Sequence, residues 1–180
     1  MKPGISYNNT AKGRISTMFR TLLAVLIFMC LASTTLAGSF ADGVSDATGP
    51  AVALGIAAAY FTTGEQGKEN ASRLTDAVLI SYGISKILKP NLSVNDDGYE
   101  HTFPSGHTAI AFAAASSLAE IHPKQKWYYY AGAALIGWSR VETDAHTWRD
   151  VLGGTALGIT MGKWSINSSE GLMIGRVYRF

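Results

Sequence analysis

"WYYYAGAALIGWSRVETDAHTWRDVLGGTALGITMG", residues 127–162, is two uncharged apolar runs joined by one polar turn. Each apolar run is twelve residues long and shows no period-two alternation, so both read as helix rather than strand. Gly154, Gly158 and Gly162 recur at four-residue spacing and clear one face of the second run for close contact with a neighbouring helix. The joining stretch, "SRVETDAHTWRD" (residues 139–150), concentrates Arg140, His146 and Asp150. Polar residues between helices ordinarily cap exposed backbone groups and solvate the turn. The question is whether these three do more.

Outward from that stretch the pattern repeats. "TGPAVALGIAAAYFTTG" (residues 48–64) closes at Gly64, and "NASRLTDAVLISYGISKILKP" (70–90) is expected to end at Pro90, because proline cannot continue a helix. The segment "NLSVNDDGYEHTFP" (91–104) is rich in turn residues and reads as a loop. "SGHTAIAFAAASSLAEIHP" (105–123) follows with Ser105 as N-cap, then "KQKWYYYAGAALIGWSR" (124–140) and "TWRDVLGGTALGITMGKW" (147–164). The expected fold is therefore all-α, a bundle of about five to six apolar helices with no sheet. Most uninterrupted apolar stretches are shorter than the ~20 residues that cross a bilayer, yet they are rich in Ala, Gly and Leu, which leans toward membrane association.

A length of 180 residues suits one domain, and 47% hydrophobic with 16% charged residues excludes a disordered chain. Residues 1–37 combine Lys2, Lys12, Arg14 and Arg20 with the apolar run "TLLAVLIFMCLASTTLA" and the small residues of Thr35-Leu36-Ala37. That is the layout of a signal peptide cleaved after Ala37, with an uncleaved N-terminal anchor helix as the alternative; residues 38–180 form the remaining domain. Removing 1–37 takes the formal charge from +2 to −2, leaving no basic patch for nucleic acid. Cys30, the only cysteine, falls inside the apolar run, so disulfides, thiolate chemistry and a cysteine-based zinc site are excluded from the domain. The bulky residues before Cys30 argue against lipidation.

Two clusters carry chemistry. In "FPSGHT" (residues 103–108), Ser105 and Gly106 open an apolar helix whose unpaired N–H groups and dipole favour an anion, with His107 beside them to move a proton. In the second cluster, His146 and Asp150 are one helical turn apart, so the carboxylate can take one imidazole N–H, while the planar fork of Arg140 matches phosphate oxygens. Together they describe an oxyanion pocket with a nucleophilic His, an orienting Asp and a second His.

Pro104–His107 and the pattern Ser139-Arg140, five residues, His146, three residues, Asp150 resemble the second and third signature motifs of the type 2 phosphatidic acid phosphatase family. The resemblance covers roughly residues 75–163. It implies that His146 attacks phosphorus to form a phosphohistidine, that Asp150 orients it, and that His107 protonates the leaving alcohol. Ser105, Gly106 and Arg140 would bind phosphate, with no metal or other cofactor. The family's first motif, Lys, six residues, Arg-Pro, is altered: Lys89-Pro90 stands in the Arg-Pro place, Tyr82 lies seven residues before Lys89, and Lys86 is one turn back as the candidate second cation. Lysine is a point charge rather than a fork. His101 and His122 have no motif role.

The function so implied is a metal-independent phosphatase of the cell envelope, exported, periplasmic or membrane-associated, with its site on the outer side of the inner membrane. Its substrate would be a phosphomonoester or pyrophosphate, of a lipid in the first instance. Two alternatives stand beside it: a soluble acid phosphatase of broad specificity, and a non-catalytic helical envelope protein that retains the phosphate pocket.

Overall fold

The computed structural model describes residues 40–92, 94–96 and 99–168. The proposed cleavage after Ala37 and the whole segment 1–37 lie outside the described residues. The fold is all-α, as expected. Its helices are α1 (Phe40–Asp46), α2 (Thr48–Thr62), α3 (Gly67–Leu92), α4 (Gly106–Ile121), α5 (Lys126–Glu142) and α6 (Trp148–Asn167). Two short 3-10 turns, Gly64–Gln66 and Pro123–Gln125, link α2 to α3 and α4 to α5.

Four features depart from the sequence reading. Helix α1 is separate from α2 and bent from it by 45°; its composition, with Gly43, Ser45 and two aspartates, conceals it. Helix α3 starts at Gly67 and runs past Pro90 to Leu92. A proline there lacks one N–H donor near the helix end, so only one backbone bond is lost and the last turn persists. Helix α5 likewise runs two residues beyond Arg140, to Glu142. The loop between α3 and α4 holds a two-stranded antiparallel ribbon, Val94–Asp96 (β1) against Tyr99–His101 (β2), with Asn95 opposite Glu100. A three-residue pairing is below the length at which alternation can be read.

Helix α4 is the centre of the bundle. Twelve of its sixteen residues are buried, most of them Ala or Ser, because other helices approach it on several sides. The closest partner is α6. A Cβ at Gly154 would lie 2.5 Å from the Ser105 carbonyl oxygen, and one at Gly158 would lie 2.3 Å from that of Ala109. At Gly162 it would collide with Ser116 and with the Ala113 carbonyl. The four-residue glycine stripe thus lets α6 lie directly on the α4 backbone. Leu74, Val52, Ala59 and Leu118 close the core between α2, α3 and α4. At the far end, Arg73 Nη1 on α3 donates to the Ser165 and Ile166 carbonyls, satisfying C-terminal carbonyls of α6 that lack helical partners.

Among the described residues no single helix is long and apolar enough to cross a membrane; α1 and α2 together pass that test as a bent pair. Large apolar side chains nevertheless face outward on several helices, including Phe61, Ile87, Trp127, Tyr128 and Leu152.

Candidate active site

Helix α4 begins where the second cluster needs it. Ser105 is the N-cap, in extended conformation, and its Oγ accepts from Thr108 N–H at 3.4 Å and from Thr108 Oγ1 at 3.0 Å. Its own backbone N–H donates to the Asp150 carbonyl at 3.0 Å, which ties the two sequence clusters together. Ser105 is fully buried and serves as the cap, while the N–H groups of the first turn, beginning at Gly106, lack helical partners. Gly106 also admits α3: a Cβ there would lie 3.3 Å from Ser85 Oγ. Lys89 lies one turn beyond Ser85 on the same face of α3, and its charge acts on His107 at the α4 start.

Asp144 turns the chain after α5 with φ 53°, a left-handed conformation that aspartate tolerates. The Arg140 carbonyl then accepts from Ala145 N–H at 3.1 Å and His146 N–H at 2.9 Å. This folds His146 back beside Arg140. His146 is only 6% exposed, and its Nδ1 lies 3.6 Å from Asp150 Oδ2.

The relation of that pair differs from the expected one. His146 precedes the α6 N-cap, Thr147, and is not on the helix. Asp150 Oδ2 accepts from Thr147 N–H and Thr147 Oγ1, each at 2.9 Å, and Thr147 Oγ1 accepts from Asp150 N–H in return. Asp150 therefore closes a capping box and sits behind His146 at ion-pair distance. Among the described residues His146 Nδ1 has no hydrogen-bond partner within 3.5 Å. Catalytic hydrogen bonds are often long before substrate binds.

Electrostatics group the rest. Burial first, then the Arg140 charge, push His146 down to about 4; Asp150 opposes, and Lys89 adds to the fall. His107 is exposed at the helix start and held below its ordinary value by partial desolvation, then by Arg140 and Lys89. Lys89 is lowered by burial, then by Lys86 and Arg140, with Asp150 opposing. Arg140, Lys89, His107 and His146 thus share one field, with Asp150 behind the last. Lys86 stands at its edge: it is exposed, its Nζ lies 5.4 Å from the Tyr82 ring centroid, and it acts on Lys89. Of the remaining histidines, His122 caps the α4 C-terminus, with its Nε2 2.9 Å from Thr62 Oγ1, and His101 lies in β2.

Sequence reading missed α1 altogether. Ser45 Oγ accepts a short hydrogen bond from Arg140 Nη1, and Asp46 and Asp42 favour the charged guanidinium against its burial. Nothing in "FADGVSD" marks these residues as part of a site.

The sequence model of the PAP2 superfamily matches residues 22–173, most of the chain and every element just described. The chain belongs to the PAP2 superfamily. Two curated relatives share shorter stretches with this PAP2 chain. A lipid A 1-phosphatase of Porphyromonas gingivalis is 42% identical over 67 residues, covering 35% of this chain and 15% of the relative. A probable lipid phosphate phosphatase 4 of Arabidopsis thaliana is 32% identical over 102 residues, covering 48% and 30%. The chain thus spans less than a third of the length of either relative. Among solved structures, a transmembrane PAP2-type phosphatidylglycerolphosphate phosphatase from Bacillus subtilis is similar at TM-score 0.46 and 20% identity, over 79% of this chain and 83% of that one.

Proposed function

We propose that this PAP2 chain hydrolyses a phosphomonoester or pyrophosphate, that of a lipid, through a phosphohistidine on His146. The carrying observation is a buried imidazole, neutral above about pH 4, set among Arg140, Lys89 and the α4 N-terminus with a carboxylate at its Nδ1 side. Nδ1 turned toward Asp150 leaves Nε2 as the nucleophile.

The residues act as follows. The α4 N–H groups from Gly106, the Arg140 fork and Lys89 hold the phosphoryl oxygens, and Lys86 adds charge from the rim; Ser105 keeps the helix end in place and can turn its hydroxyl proton to an oxygen. Nε2 of His146 bonds to phosphorus as the bond to the leaving oxygen breaks, and protonated His107 gives that oxygen its proton. Nδ1–H, approaching Asp150, stabilises the charge gained by the ring. Water then attacks phosphorus, His107 takes the water proton, and the N–P bond breaks to release inorganic phosphate and neutral His146. Fixed cations and N–H groups supply the charge stabilisation, so the reading requires no metal.

A lipid substrate is supported by what flanks the site. An apolar cleft of about 360 Å³ between α1, α2, α4 and α5 is lined by Val44, Val52, Leu118, Tyr129 and Ile136. Helix α1 borders both regions, with Val44 in the cleft and Ser45 on Arg140; Ile136 stands one turn before Arg140. Both curated relatives carry names of lipid phosphatases. The outward apolar side chains support membrane association. The envelope location, with the site on the outer side, rests on the N-terminal run, and N-terminal sequencing of protein from the envelope fraction tests processing at Gly38.

The deciding experiment uses purified protein with p-nitrophenyl phosphate and a lipid phosphate in chelator. Turnover should persist, vanadate should inhibit, and labelling quenched in alkaline denaturant should trap an acid-labile, base-stable phosphoenzyme that His146→Ala lacks. Equal labelling of both proteins, or activity restored only by zinc or magnesium, would refute the reading. Phosphate binding without turnover in the wild type is the outcome for the non-catalytic alternative, which the lysine at position 89 favours.

A further inference from the structure

Helix α1 brings to the site a side chain that no motif marks. Ser45 is 5% exposed, and its Oγ accepts from Nη1 of Arg140, 95 residues further along the chain. Nε of the same guanidinium is buried and, among the described residues, has no hydrogen-bond partner. The acceptor itself is firmly placed. The Ser45 carbonyl takes Thr48 Oγ1 at 2.7 Å, Ala41 is buried beside it at 2% exposure, and the Phe40 ring packs on Trp138 of α5 with centroids 6.3 Å apart. Arginine carries a long side chain with many rotamers and a rigid planar fork, so fixing one arm orients the whole plane. Asp42 and Asp46, exposed on the same helix, keep the group charged despite burial.

We propose that Ser45 is a positioning residue: its hydroxyl holds the Arg140 guanidinium in the plane in which the remaining N–H groups take phosphate oxygens. The proposal rests on the phosphatase reading of this site. Ser45 touches no reacting atom; it acts through Arg140, so the orienting device belongs to a helix outside every motif.

The test is a double-mutant cycle on full-length protein, read as the dissociation constant for orthovanadate and for inorganic phosphate, with thermal unfolding of each variant. Ser45→Ala should weaken both ligands about tenfold, the scale of one hydrogen bond to a charged group. KM for p-nitrophenyl phosphate should rise with it, and kcat should change less. In the Arg140→Ala background, Ser45→Ala should have no further effect. Ser45→Cys keeps the volume but offers only a weak acceptor, and should match Ser45→Ala. Wild-type affinity in Ser45→Ala or in Ser45→Cys overturns the inference. So does an equal loss in both Arg140 backgrounds, which marks general damage to α1. A wild type that binds neither anion overturns the phosphatase reading and this proposal together, so the wild-type measurement tells the two failures apart.

Discussion

A histidine buried beside fixed cations titrates low, and at His146 this keeps the ring neutral down to about pH 4. In the proposed mechanism the nucleophile is the unprotonated ring, so kcat/KM should rise through pH 4 as His146 loses its proton. The same mechanism starts from protonated His107, whose pKa is lowered from its ordinary value, so the rate should fall again as pH rises, with that limb lying below the range of an ordinary histidine. A bell with an acidic optimum is the expected pH–rate profile, after correction for ionisation of the substrate. In His107→Ala the basic limb should vanish, and alkyl phosphates should suffer more than p-nitrophenyl phosphate, whose leaving group needs little protonation. Asp150 caps α6 and, in the proposed mechanism, also orients His146; substitution separates the two. Asp150→Asn keeps an oxygen for Thr147 N–H, so unfolding should change by well under ~1 kcal/mol while turnover falls on the order of 10²–10⁴-fold. Asp150→Ala should add a capping loss of about 1 kcal/mol, measurable by urea unfolding.

Elements meet in this fold where side chains have been removed. The α4–α6 contact depends on Gly154, Gly158 and Gly162, and it is also what carries Asp150 to the Ser105 N–H. Gly158→Ala places a Cβ 2.3 Å from the Ala109 carbonyl oxygen and 2.8 Å from the Ala113 nitrogen. Backbone cannot give way as a flexible side chain would, so the cost should be about 3 kcal/mol or more. Gly83→Ala, in α3 with nothing within 4 Å of the new Cβ, should instead stabilise by up to about 1 kcal/mol through helix propensity. Paired denaturant melts read both. Phosphate affinity should fall in Gly158→Ala and stay unchanged in Gly83→Ala, because only the first separates the α4 N-terminus from the turn that holds His146.

On the scale of the whole molecule, α1 and α5 contribute both to the apolar cleft and to the Ser45–Arg140 contact, and large apolar side chains face outward on several helices. A substrate with a phosphate head and a hydrocarbon tail matches that arrangement. Across a series of alkyl phosphates, kcat/KM should rise with chain length by up to about fourfold per buried methylene, the rate equivalent of ~0.8 kcal/mol, until the cleft is filled. A flat dependence, measured below the micelle concentration, would detach the cleft from the substrate.

The apolar runs, their lengths and the residues at their junctions were enough to derive an all-α bundle and to pick out His107, Arg140, His146 and Asp150. Helical periodicity, capping preference and motif spacing are local properties written within a few residues of one another. The same locality explains what was misread. The four-residue spacing brings Asp150 to His146, but Thr147 caps the helix between them and its N–H and Oγ1 also occupy Asp150 Oδ2, leaving His146 Nδ1 at 3.6 Å. Whether Lys89 joins the site was undecidable from "KILKP", because that depends on Ser85 meeting Gly106 across two helices. Ser45 was invisible for the same reason: a hydrogen bond spanning 95 residues leaves no pattern in either segment. The chemistry of each group is set by its residue type, but the distance between groups from different helices exists only once the helices pack, and that distance decides which of them act together.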